Sequence, residues 1–150
     1  MVEQTDESRN ALGGPMKDSK RSRVIAVIAA AARKTSQAKV YDYGAGRYLS
    51  ITVTVGAGKV AGYDYGSNSH FAGSNDAAET LNFYDSESAS HLQMSLKGKT
   101  FSGYDYQTMS HFAGKINGDA ISLFDYQTGR SHTYRVEAPR PNRRSRRRDQ

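Results

Sequence analysis

The chain has 150 residues, with 14 Gly, 10 Tyr, 5 Phe, no Trp and no Cys, which is enough for one ordinary domain with tails. Without cysteine there is no disulfide framework, no thiol nucleophile and no Cys-ligated zinc or iron–sulfur centre, and no apolar run approaches the ~20 residues of a membrane-spanning helix. The net charge of +6 is uneven: residues 39–139 hold eight basic and ten acidic side chains, whereas residues 140–150 hold six Arg against one Asp.

In chain order, residues 1–19 are polar, pass through Gly13-Gly14-Pro15 and read as a disordered N-terminal segment. Residues 20–38 follow as a helix, because alanine is dense and the run Val24–Ala32 is wholly apolar, with Arg21 and Arg23 before it and Arg33 and Lys34 after it. Three readings of that run compete. It is a buried helix packed on a sheet, an export signal over 16–32 with Ala30-Ala31-Ala32 as a small-residue cleavage site, or a membrane-surface helix. The first is preferred. Localisation stays open between cytoplasmic and exported.

From 39 to 137 the chain repeats itself. Tyr63 to Gly73 (YDYGSNSHFAG) returns as Tyr104 to Gly114 (YDYQTMSHFAG), with weaker copies at Tyr41-Asp42-Tyr43, Tyr84-Asp85 and Phe124-Asp125-Tyr126. The marker residues Asp42, Asp64, Asp85, Asp105 and Asp125 are spaced by 22, 21, 20 and 20. That period fits five β-hairpins separated by turns rich in Gly and Asn. The expected fold is mainly β: an N-terminal helix plus about ten antiparallel strands in meander order, rolled into a sheet or barrel, with the helix covering one face or plugging an end.

Three-residue turns at 107–109 and 117–119 predict a register. Asp105 then sits beside His91 and His111, and one face carries Asp42, Asp64, His70, Asp85, His91, Asp105, His111, Asp125 and His132, with Tyr48 in the first His position. The other face carries Tyr41, Leu49, Tyr63, Phe71, Tyr84, Leu92, Tyr104, Phe112, Phe124 and Thr133. A bulge is expected near 76–79. Flanking carboxylates predict raised imidazole pKa values.

An Asp that orients a His can serve a general base. A catalytic pair is needed once, however, and this one recurs, so the row reads as structural, with each Asp also capping turn N–H groups. No catalytic residue, metal ligand or cofactor fingerprint is assigned. Tyr43, Tyr65, Tyr106 and Tyr126 sit at turn edges and are the candidate ligand contacts. Arg140, Arg143, Arg144, Arg146, Arg147 and Arg148 form, with 138–150, a disordered cationic tail suited to nucleic acid or another polyanion.

The Tyr-Asp-Tyr repeat resembles that of uncharacterised bacterial β-sheet proteins, which implies a β fold and no particular activity. The Arg-rich C-terminus resembles the export signals of type IV secretion substrates. The expected function is a non-enzymatic binding or protein-interaction module for an unknown protein or ligand. The alternatives are polyanion binding through the tail and an exported ligand-binding domain.

Overall fold

A computed structural model describes residues 16–33, 37–56, 58–75 and 80–136. The proposed disordered ends, apart from Met16 to Ser19, and the arginine tail lie outside them, as does the expected bulge at 76–79. Helix α1 (Asp18–Arg33) is followed by ten strands: β1 (Gln37–Asp42), β2 (Arg47–Gly56), β3 (Lys59–Asp64), β4 (Ser69–Asn75), β5 (Thr80–Asp85), β6 (Ser90–Lys97), β7 (Thr100–Asp105), β8 (Ser110–Asn117), β9 (Ala120–Asp125) and β10 (Arg130–Arg135). Each strand pairs antiparallel with its neighbours in sequence, and β10 returns to β1, so the meander closes into a barrel.

The helix does not pack on the outside of this sheet. Every residue from Lys20 to Ala31 is buried, because α1 runs through the barrel. Its first turns meet Asp105 and Asp85 at the end where those strands finish, and Arg33 reaches the Gly118 carbonyl at the other end. An eight-stranded barrel is just filled by its own side chains; ten strands leave room for a helix, provided that helix is slender. Ala26, Ala29, Ala30 and Ala31 make it so, and Val24, Ile25, Val27 and Ile28 fill the gaps to the wall. Sixteen residues at 1.5 Å span about 24 Å, which crosses the barrel. Burying each larger aliphatic side chain contributes roughly 1.5–3 kcal/mol.

The wall makes room as well. Gly62, Gly73, Gly103 and Gly114 each lie where a side chain would collide with a neighbouring ring or strand, and a methyl at Gly73 would come within 1.8 Å of the Asn82 carbonyl oxygen. Phe71 and Phe112 lie against Gly62 and Gly103, their ladder partners, and so stay flat on the wall. The outer face exposes Ser50, Thr52, Thr54, Asn82, Gln93, Ser95, Ser102 and Lys115. An apolar lumen inside a polar wall is the reverse of a lipid-facing barrel. Among the described residues no helix is long and apolar enough to cross a membrane.

The expected register is corrected. Turns at the Asp end hold four residues (43–46, 65–68, 86–89, 106–109, 126–129), and those at 98–99 and 118–119 hold two. Asp105 therefore pairs with Ser110 and with Leu92, while His111 pairs with Tyr104 and Phe112 with Gly103 and Asp125. A one-residue slip moves a whole strand face to the other side. The four-residue turn is closed by a last residue in the left-handed region, where φ is 69° at Gly46, 51° at Asn68, 53° at Ala89, 55° at Met109 and 69° at Gly129. At the opposite end Gly98 and Gly118 take φ of 62° at the first turn position, as two-residue hairpins favour.

Candidate functional site

The slip separates the alternating row. Asp42, Asp64, Asp85, Asp105 and Asp125 face the lumen and are buried, whereas His70, His91 and His111 are exposed on the outer wall against Tyr63, Tyr84 and Tyr104. The Ser-His dipeptides divide in the same way, since Ser69, Ser90 and Ser110 pair with the lumen-facing Asp residues. His132 departs from the other three. It pairs with Leu123 and occupies the lumen-facing position held by Phe112 in the previous repeat, because its Ser-His pair begins one residue later after an equal turn. Burial, followed by the charge of Arg21, lowers the His132 pKa, opposed by Asp125, Asp18 and Asp42. The expected upward shift is thus reversed there.

Every ring Asp caps its turn, and three of the five also bind the helix. One oxygen accepts turn N–H groups: Asp42 Oδ1 from Gly44 at 2.9 Å and Ala45 at 3.2 Å, Asp64 from Gly66, Asp105 from Gln107 and Asp125 from Gln127. This is the turn-capping role expected from sequence. Three of the carboxylates, Asp64, Asp85 and Asp105, also bind cations of α1. Arg23 forks onto Asp85 at 2.6 and 2.9 Å and reaches Asp64 at 2.8 Å and Glu87 at 2.6 Å. Burial by itself would lower the Arg23 pKa; hydrogen bonds and charge from Asp85, then bonds from Asp64 and Glu87, outweigh it and hold Arg23 above its ordinary value. Lys20 donates to Asp105 at 2.8 Å, to Ser90 and to Gln107. Arg21 pairs with Asp18 and donates to Tyr134 Oη at 2.8 Å. Burial pushes the Tyr134 phenol up to about 12.

Sequence reading took Lys20, Arg21 and Arg23 only as helix flanks. The signal that marks them is the five-fold repeat of an acid that faces inward, three of which take a cation from the helix that fills the lumen.

At this mouth the barrel opens into a cavity of about 310 Å³ lined by Asp18, Ser19, Ser22, Asp42, Ala45, Arg47, Leu49, Asp64, Gly66, Ser67 and Glu87. Around its outside runs a belt of rings. Tyr41 meets Tyr43 and Tyr48, Tyr63 meets Tyr65, Tyr104 meets Tyr106, and Phe124 meets Tyr126, all edge to face with centroids 4.7 to 5.0 Å apart. The four candidate contacts Tyr43, Tyr65, Tyr106 and Tyr126 are thus brought to one rim, each between 53% and 61% exposed. Met109, which sequence reading passed over, is 69% exposed on the same rim in a left-handed turn position. Among the described residues no group of His, Asp and Glu is arranged to hold a metal ion. The chain matches no family model, no curated protein and no solved structure.

Proposed function

We propose that the protein is a non-enzymatic interaction module that engages its partner through the rim of four-residue turns. The supporting observation is the composition of that rim. Its twenty turn residues include Tyr43, Tyr65, Tyr106, Tyr126 and Met109 and one charged side chain, Glu87, and Glu87 is already bonded to Arg23. Exposed Arg47 and Arg130 begin the strands that follow two of the turns. Enrichment in Tyr, Met and Arg with depletion of other charges is the composition of interface cores. Turn stability does not ask for Met109, because a left-handed position favours Gly or Asn. Substituting Tyr65, Tyr106 and Tyr126 by Ser and Met109 by Gly should leave the melting temperature nearly unchanged. The same changes should abolish partners cross-linked to the wild-type rim in cells. Recovery of an identical cross-linked set would reject the rim as the contact surface.

A second reading, polyanion binding, rests on the other end of the barrel. There Lys59, Lys97, Lys99 and Lys115 are exposed, and β10 ends at Arg135, so the arginine-rich segment follows from the lysine-bearing end. Six Arg permit a log–log salt slope of up to about −5 on duplex DNA. Absence of binding at low salt would remove this reading.

A further inference from the structure

We infer that the cavity at the Asp mouth is a binding site for an organic cation, an ammonium or guanidinium group on a short aliphatic stem. The inference stands on the mouth alone and does not require the rim to be an interface.

The ring of five acids is incompletely matched by the helix inside it. Successive helical residues turn by about 100°, so Lys20, Arg21 and Arg23 point at three different sectors of the wall. Lys20 meets Asp105 on β7, Arg23 meets Asp85 and Asp64 on β5 and β3, and Arg21 meets Tyr134 on β10. Residue 22, between two of these cations, is Ser. It lines the cavity together with Asp18 and Asp42, and its hydroxyl turns back to the Asp18 carbonyl. Asp42 is 5% exposed. Its Oδ1 caps the 43–46 turn, and among the described residues its Oδ2 accepts no hydrogen bond. Asp64, Asp85 and Asp105 each hold a helix cation, whereas Asp42 and Asp125, in the equivalent positions, hold none among the described residues; the Asp125 Oδ2 is closed off without a partner, and of the two only Asp42 lines the cavity.

A carboxylate this buried needs a counter-charge or a donor. The cavity supplies no cation on its helix side. Arg47 is the ladder partner of Asp42 and lines the same cavity, yet it is exposed, and among the described residues the two form no ion pair. The carboxylates do not converge on one point as metal coordination demands. Of the four acids in the lining, Asp18 is paired with Arg21 and Asp64 and Glu87 with Arg23, which leaves Asp42 as the uncommitted one; Ser19, Ser22 and Ser67 hydroxyls surround the space, and Leu49 offers an apolar wall. An amine or guanidinium with several donors and a short stem fits such a lining, and Arg23 and Lys20 already bind the neighbouring acids in the same chemical manner. The group could arrive on a free small amine or on a Lys or Arg side chain of a partner.

The test is titration of the full chain at low salt with butylammonium and butylguanidinium chloride, read by NMR shifts, with sodium chloride at equal ionic strength as the control. A short neutral peptide containing one Arg is the second arm. Tighter binding of the peptide assigns the site to a partner's side chain, and tighter binding of the free cation assigns it to a small molecule. Asp42→Asn retains the turn cap and should weaken binding by at least about tenfold. Ser22→Lys supplies the missing cation from within, and should abolish probe binding while raising the melting temperature. Arg47→Gln removes the nearest competing cation and should tighten binding. Ser95→Ala, exposed on the outer wall and outside both the rim and the cavity lining, should leave it unchanged. Wild-type protein that binds neither cation above the sodium control, or Asp42→Asn that binds as well as wild type, would overturn the inference.

Discussion

Arg23 is fully buried and serves three carboxylates, and its contribution is better judged by removal than by counting bonds. Breaking a buried ion pair on one side leaves uncompensated charge and costs about 3–5 kcal/mol. Arg23→Met should therefore lower stability to chemical denaturation by about that amount, because Asp85 and Asp64 lose their counter-charge in the lumen. Adding Asp85→Asn, which retains a turn-capping oxygen, should recover part of the loss; no recovery would mean that the pair acts through packing instead. His132 offers a second measurement. Its folded pKa is lowered by burial and Arg21, so near pH 6 the unfolded chain binds more protons than the folded one. That difference makes stability fall as pH drops through the unfolded value of ~6.5 toward the folded pKa. His132→Phe, which copies the Phe112 position, should hold its stability better than wild type below pH 6.5. Urea melts across pH settle the point, and parallel pH slopes in the two proteins would count against it.

At the scale of elements, α1 and the wall are fitted to one another. A helix apolar on every side is normally buried on every side, and the run Val24–Ala32 has no polar face. The preferred reading as a buried helix packed on a sheet is therefore correct, and the face it covers is the inner one, along the lumen. The same residues form part of the core of the barrel. Ala30 is 0% exposed and surrounded. Ala30→Leu adds volume where the wall cannot retreat, and should cost about 1–3 kcal/mol in thermal or chemical melts. A neutral or stabilising result would show slack in the lumen that the contacts do not suggest.

Over the whole molecule, closure depends on joining the first strand to the last. Among the described residues the β1–β10 ladder holds two partner pairs, Tyr41 with Arg135 and Asp42 with Tyr134, whereas β6 and β7 share six. Local opening follows the fewest cross-strand bonds. Amides of β10 should exchange with deuterium before those of β6 and β7, and protection at the seam equal to that of the central strands would contradict this. Much of the architecture was legible beforehand: the 20-residue period set five hairpins, their turn residues set the antiparallel meander, and alanine density set the helix. These features are local, because propensity and turn geometry act within a few residues of their cause. The register was not legible, since turns of three residues and alternating turns of four and two fit the same repeat. Only the packed barrel decides between them, by burying Phe112 and Leu92 and placing His111 and His91 in water. The site depended on the same decision. That Asp42 and Asp125 lack a helix cation while Asp64, Asp85 and Asp105 have one follows from the rotation of α1 within the closed wall, a relation between residues distant in sequence that only tertiary structure specifies.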